Sequence, residues 1–400
     1  MEVDGQPVQP ERATPEAGGA RTVQFAMHYF VLFTVMATVY PYFQLLLQAR
    51  GFTKAEIGLL QGFMALAGMC GPMVLGYLAD RSGQRRTFLA LSLLASTLLL
   101  LPLNATKGFL AAALLTAGLG FTVRTPVPLT DALTAGELPD PVHQYGRVRV
   151  WGSIGFATAL LGIRLLGLVD ETSARSMRAA MLATTVVCLV SSLLLPEHGR
   201  AKHKDTPQAG GGSGGFDAVF WLFIAVAALH QFGMAAYYSF FTIYLHDRLG
   251  MESAAWVWGI GAAAEVPLLF YGGRIINRFG LTGMLTASLG SVTVRLGVIG
   301  LLPTLWAILP SQALHAMTFG LFHAASIEFL RRKVPAARRG LAMALYISLA
   351  GALPGLVGSS LGGIIVERLG YSVLYTTYAA VPLLGIALLA TARGKLDVTA

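Results

Sequence analysis

Residues 76–83 read GYLADRSG, and residues 273–280 read GRIINRFG. Gly76, Asp80, Arg81 and Gly83 match Gly273, Asn277, Arg278 and Gly280 at a constant offset of 197, about half the 400-residue chain. Glycine tolerates the left-handed backbone of a tight turn and lets helices approach closely. An acidic or amide group placed where the next helix starts can accept from its first N–H groups, while the arginines stay in water. One such loop is an ordinary basic connector. Two at matching positions mark a duplicated unit.

What surrounds each loop is apolar. With 55% hydrophobic and 12% charged residues and a mean hydropathy of +0.64, the composition excludes a soluble multi-domain chain. A helix needs about 20 apolar residues to cross a bilayer. Twelve segments qualify: 23–47, 55–77, 87–103, 108–134, 147–169, 178–195, 217–244, 255–272, 283–302, 304–329, 340–366 and 373–391. Helices satisfy their own backbone groups in lipid, which open strands cannot. The expected fold is an all-α integral membrane protein with twelve transmembrane helices in two pseudo-symmetric six-helix bundles, 23–195 and 217–391. Between them, 196–216 is basic and then glycine-rich and reads as a flexible linker. The polar, acidic 1–22 reads as a disordered tail before a retained first helix, and 392–400 as a short second tail. Cys70 and Cys188 both fall inside spans, so no disulfide is expected.

The net charge of +9 raises the question of nucleic acid, which its placement answers. Of 29 lysines and arginines, 19 lie on the side of the two termini, 7 on the other side, and Arg124, Arg164 and Arg295 inside spans. Such an asymmetry is a topology signal. It predicts cytoplasmic termini in a plasma membrane of the bacterial inner-membrane kind, and no nucleic-acid partner.

Ionisable groups inside spans cost roughly 2.5–3.5 kcal/mol each, so they face a cavity or one another. Asp131, in the stretch TPVPLTDALT (125–134), has a candidate partner in Arg149, 18 residues on and across a loop that returns the chain antiparallel. The pair reads either as part of a solute site or as an ion pair at the helix ends. Glu265 lies ten residues into span eight, about 15 Å deep at 1.5 Å per residue. Arg295 sits at comparable depth from the other face. His315 and His323 are eight residues apart and share one broad helical face.

GYLADRSGQRR (76–86) looks like the loop signature of the major facilitator superfamily. PLTDALT, YGRVRVWGSIGF, MAAYYSFFTIY, WVWGIGAAAEV and LHAMTFGLFHAA together resemble the phenylpropionate permease family, relatives of the lactose permease, across essentially the whole membrane portion. The resemblance implies a carrier that works by rocking its two halves about a midplane site, with Gly76, Asp80, Arg81 and Gly83 as its gating loop. It implies that Asp131 and Arg149 bind the solute, with Pro128, Gly146, Arg147 and Gly152 completing the match. It carries Arg295 and His315 onto a proton-coupling constellation, and Glu265 looks like that family's own glutamate. In lactose permease the titrating carboxylate falls three residues after the histidine, and here that position holds Thr318. Coupling is then either absent or moved to Glu265, Asp131 or a histidine such as His323.

Two arginines balance two acids, and the planar guanidinium suits a carboxylate. Tyr237, Tyr238, Phe240, Phe241 and Tyr244 on span seven, with Tyr40 and Tyr42 on span one, read as a solute wall or as packing and interfacial belt. These features predict import of a small organic solute such as an aromatic carboxylate, coupled to protons. A sugar or nucleoside symporter, a proton-driven drug exporter and a transport-dead sensor are the alternatives. No HExxH, phosphate loop or paired Cys/His spacing occurs, so no enzyme, cofactor or metal is expected beyond the proton itself. The expected partners are the solute and the bilayer, with a monomer as the working unit.

Overall fold

A computed structural model describes residues 15–106, 108–138, 141–196, 215–391 and 396. The first half contains α1 (Pro15–Ala49), α2 (Lys54–Ser82), α3 (Arg85–Asn104), α4 (Phe109–Glu137), α5 (Pro141–Leu166) and α6 (Ala174–Leu193). The second contains α7 (Ala218–Leu249), α10 (Leu305–Lys333), α11 (Ala336–Leu369) and α12 (Tyr371–Thr391). Between α7 and α10 a continuous helix, Trp256–Leu301, is interrupted at Gly280, giving α8 (256–279) and α9 (281–301). Eleven helices among the described residues are long and apolar enough to cross a membrane. With α8, the twelve expected spans are all helical, and no strand is formed among the described residues.

Local chemistry sets the helix ends. Thr53 and Glu56 form a reciprocal capping box at the start of α2, satisfying N–H groups that a helix leaves orphaned. Gly83, at φ 70°, ends α2 in the left-handed region, and Gly280, at φ 66°, breaks the chain at the equivalent point of the second half. Both halves thus break at the repeated glycine, but with different backbone geometry: ψ is 18° at Gly83 and 175° at Gly280. The side chain of Asn277 lies outside the described residues. Asp80 departs from expectation: its Oδ1 accepts from Nε and Nη2 of Arg85, both at 2.8 Å, rather than from the first N–H groups of α3. A guanidinium at the helix start offers the stronger, charge-assisted bond. Arg81 donates to the Tyr77 hydroxyl at 3.1 Å. Gly76 supports no close approach, since a Cβ there would meet nothing within 4 Å.

The first helix starts earlier than expected, at Pro15, because proline is pre-shaped for the first helical position and has no N–H to leave unpaired. The remainder of the tail, 1–14, and the linker core, 197–214, lie outside the described residues.

α1 packs on α5 and α6, and α2 on α4 in the first half; α12 packs on α7 and α9 in the second. The halves meet along α2 with α11, α5 with α8, and α1 with α7. This contact is tight at the end opposite the termini. A Cβ on Gly58 would lie 2.4 Å from Ser359 O, and one on Gly363 2.4 Å from Lys54 O. Only glycine permits such backbone-to-backbone approach. Hydrogen bonds gather at the same end. Gln44 Nε2 donates to Tyr238 O at 3.1 Å and Gln48 Nε2 to Asp247 at 2.8 Å. Lys54 pairs with Asp247 at 2.7 Å, and Ala55 N donates to Glu367 at 2.7 Å. Towards the termini α2 leaves α11, where Met73, Val74 and Tyr77 are 45%, 47% and 61% exposed. Among the described residues the molecule is closed at one end and open at the end that carries its termini.

Candidate functional site

Each half builds a charged cluster of its own. The first is built by α1, α4 and α5. α4 is broken at Arg124 and Thr125, between Phe109–Val123 and Pro126–Glu137, and Asp131 follows in the second piece. Tyr29, fully buried on α1, donates its hydroxyl to Asp131 Oδ1 at 2.5 Å. Arg149 on α5 brings Nε to 3.9 Å from the same oxygen, within ion-pair range but beyond hydrogen-bond length. Its guanidinium lies over the Phe33 ring at 4.3 Å and the Tyr29 ring at 5.5 Å, a cation–π arrangement. Gly152 makes room for this stack, since a Cβ there would approach Phe33 Cδ2 at 2.8 Å and Arg149 Nη1 at 3.0 Å. His28 is buried beside it, bonded to Thr130 at 3.2 Å and Ser191 at 3.0 Å.

The second cluster joins α7, α8, α9 and α10. Arg295 is fully buried. It donates from Nη2 to Gln312 Oε1 at 2.5 Å and from Nη1 to Thr318 Oγ1 at 3.2 Å, and it meets His315 Nδ1 at 3.0 Å. Its guanidinium lies 3.9 Å from the Tyr237 ring centroid. His315 Nε2 lies 2.9 Å from Glu265 Oε1. Arginine has only donors, so the tautomer follows: Nδ1 of His315 accepts, and Nε2 carries the hydrogen towards the carboxylate. A second proton on this ring would set two donors against each other at Nδ1. Taking up a proton at His315 therefore requires Arg295 to release it. Just beyond His315 the helix winds in a wider π-type turn, Ala316–Leu321, a form that often accompanies functional positions.

The expected site residues thus assemble as two groups, Asp131 with Arg149 and Glu265 with Arg295 and His315. His323 continues the second group along α10, its ring stacked on Phe319, which stacks in turn on His315. Thr318 is not idle where a carboxylate was expected, because its hydroxyl holds Arg295. The aromatic row on α7 is largely packing. Tyr237, Phe240, Phe241 and Tyr244 are at most 1% exposed, Tyr237 donates to Gln312 at 3.1 Å, and Tyr244 donates to Ile299 O at 2.9 Å. Tyr238 is only partly buried and packs near Trp258, with centroids 6.2 Å apart. His230 is structural, stacked on Phe322 at 3.7 Å and bonded to Ser288 at 3.0 Å.

Three contributors had weaker signals in the sequence. Tyr29 and Phe33 are four residues apart on α1 and share a face, yet resemble any aromatic pair in a span. Gln312, three residues before His315, is a lone amide within an apolar run. Among the described residues no group of three or more His, Cys, Asp or Glu could hold a metal ion.

Two six-helix bundles closing on paired charges within the membrane are the architecture of a secondary transporter. Residues 22–377 match the MFS_1-like family, and the chain belongs to it; it is a major facilitator superfamily transporter integral to a membrane and not an enzyme. Among curated proteins it is 28% identical over 361 residues to the probable 3-phenylpropionic acid transporter of Escherichia coli (strain K12), covering 88% of this chain and 92% of that one. It is 22% identical over 378 residues to the maltose permease of Geobacillus stearothermophilus, covering 92% and 94%. Among solved structures, a variant of the nucleoside transporter NupG superposes with a TM-score of 0.81 at 17% identity, covering 92% of this chain and 99% of that one. A bacterial homolog of the human lysosomal transporter Spinster, in an inward-facing and occupied conformation, gives 0.71 at 13% identity, covering 97% and 100%. These structural likenesses concern the fold.

Proposed function

We propose that the protein imports a small aromatic carboxylate together with a proton. The observation that carries this reading is Arg149. Its guanidinium lies over the Phe33 and Tyr29 rings and is held by Asp131 only at 3.9 Å, while Tyr29 already binds that carboxylate at 2.5 Å. An incoming carboxylate can take the arginine fork in place of Asp131, and the rings of Phe33 and Tyr29 flank it. The likeness to a probable 3-phenylpropionic acid transporter supports the same solute class. The Glu265–His315–Arg295 chain supports proton coupling, because Thr318 cannot titrate and Glu265 is the carboxylate next to the histidine. The positive-inside asymmetry supports termini in the cytoplasm of a bacterial cell, and in this reading the open end faces inward. The proton is the only cofactor this reading requires, and the monomer is its working unit.

The test is uptake of labelled 3-phenylpropionate into proteoliposomes, with and without an inward proton gradient, for wild type and Arg149→Ala. Gradient-driven uptake that disappears in the variant supports the reading. Uptake indifferent to the gradient removes proton coupling. No uptake by correctly folded protein removes the aromatic carboxylate, and nucleosides and sugars become the next solutes to assay.

A further inference from the structure

A buried carboxylate far from the solute site joins the two halves. Glu171 lies in the loop between α5 and α6, at the end opposite the termini, and is 5% exposed. Its partners all belong to the second half. Oε2 accepts from Ala254 N at 2.8 Å and meets His246 Nε2 at 2.8 Å. Oε1 accepts from Ser253 Oγ at 3.1 Å and Ala255 N at 3.2 Å.

These partners have a specific meaning for α8. Ala255 occupies its N-cap position, with no side-chain cap of its own, and alanine is among the poorest residues there. The orphan N–H groups at a helix start call for an acceptor, and the helix dipole favours a negative one. Here the other half of the molecule supplies it. The loop is shaped to do so: Thr172 donates to Asp170 Oδ1 from its backbone N at 2.9 Å and its hydroxyl at 2.6 Å. These bonds fold the loop tightly and hold the Asp170 carboxyl below the usual carboxylate range. Outside the contact lies a cleft of about 720 Å³ shared by both halves, lined by Arg164, Asp170, Thr172, Glu252 and Trp256 among others.

α8 runs from this cap to Glu265, about 15 Å further along at 1.5 Å per residue, with no break in its backbone between them. The cap and the proton-site carboxylate therefore ride on one rigid element.

We infer that Glu171 is a latch that caps α8 in trans only while this end is closed, and so sets the balance between the two states of the transport cycle. When the halves part here, the carboxylate leaves and the first N–H groups of α8 go to water in the widened cleft. The inference does not depend on which solute is carried.

The test uses full-length protein in lipid nanodiscs, with Cys70 and Cys188 replaced by serine. Spin labels placed through Ala105→Cys and Thr304→Cys report the separation of the halves at the closed end. Glu171→Gln keeps the size of the side chain and removes its charge. The expected result is a rise of roughly tenfold in the population with widened separation, in protein whose helicity and elution volume match wild type. A His246→Ala variant shifts the same way, and the double variant shifts less than the sum because both act on one contact. An unchanged distance distribution in Glu171→Gln overturns the inference, as does full additivity of the two substitutions.

Discussion

Replacing Gly58 by alanine tests how closely the closed end is fitted. A Cβ at this position would stand 2.4 Å from Ser359 O and 3.0 Å from Gly363 Cα. Ordinary contact begins near 3.4 Å, so α2 and α11 must separate by about 1 Å. The obstructing atoms are backbone of α11, and no side chain can swing away to relieve them. Overpacking of this kind costs about 1–3 kcal/mol, a factor of roughly 5 to 150 in a two-state equilibrium. The helix propensity gained from alanine is the same in both states and cancels. The strain exists only when this end is closed, so the population should move towards the opposite state. The spin-labelled pair at positions 105 and 304 measures it, and Gly290→Ala on α9 serves as control because its Cβ would meet nothing within 4 Å. A distance distribution unaltered by Gly58→Ala would refute the claim that the glycine contact holds this end shut. Equal shifts from both variants would refute it as well.

Other expectations concern the charges. Arg149→Lys keeps the cation but loses the planar fork and the ring stacking, and should raise the solute's half-saturation concentration about tenfold or more, measured as uptake against concentration. Tyr29→Phe removes the 2.5 Å bond to Asp131, a charge-assisted bond worth roughly 1.5–3 kcal/mol. Asp131 is then freer to hold Arg149, and solute affinity should fall, which calorimetric titration reads directly. Glu265→Gln should abolish gradient-driven accumulation yet leave solute exchange between the two sides, measured by counterflow. Loss of both together would mean that Glu265 binds solute rather than a proton.

Much of this organisation is legible in the sequence because the bilayer enforces it. Twelve apolar runs have one stable backbone form in lipid. The loop repeated at an offset of 197 marks two halves, and a glycine of positive φ, Gly83 or Gly280, breaks the helix at the matching point of each, although the two turns differ in ψ, 18° against 175°. Charge in a span is expensive enough that Asp131, Arg149, Glu265, Arg295 and His315 stand out from sequence alone. Pairing needed the fold. That Glu265 meets His315 while Arg295 meets the ring's other nitrogen depends on how three helices rotate about their axes, which spacing along one helix does not express. Tyr237 read either as a solute wall or as packing, and in the fold it packs against Arg295. Asp80 looked like a helix cap and proved to bind Arg85.

Glu171 shows the limit most clearly. In the sequence it is one acid in a polar loop, adjacent to Asp170 and without a motif. Its partners, His246 and residues 253–255, lie at least 75 positions away and across the boundary between the halves. The bilayer acts on each segment separately, so hydropathy, span count and buried charges are properties of the chain. Which half touches which, at which end, and through which side chain is a property of two surfaces brought together, and only the tertiary structure decides it.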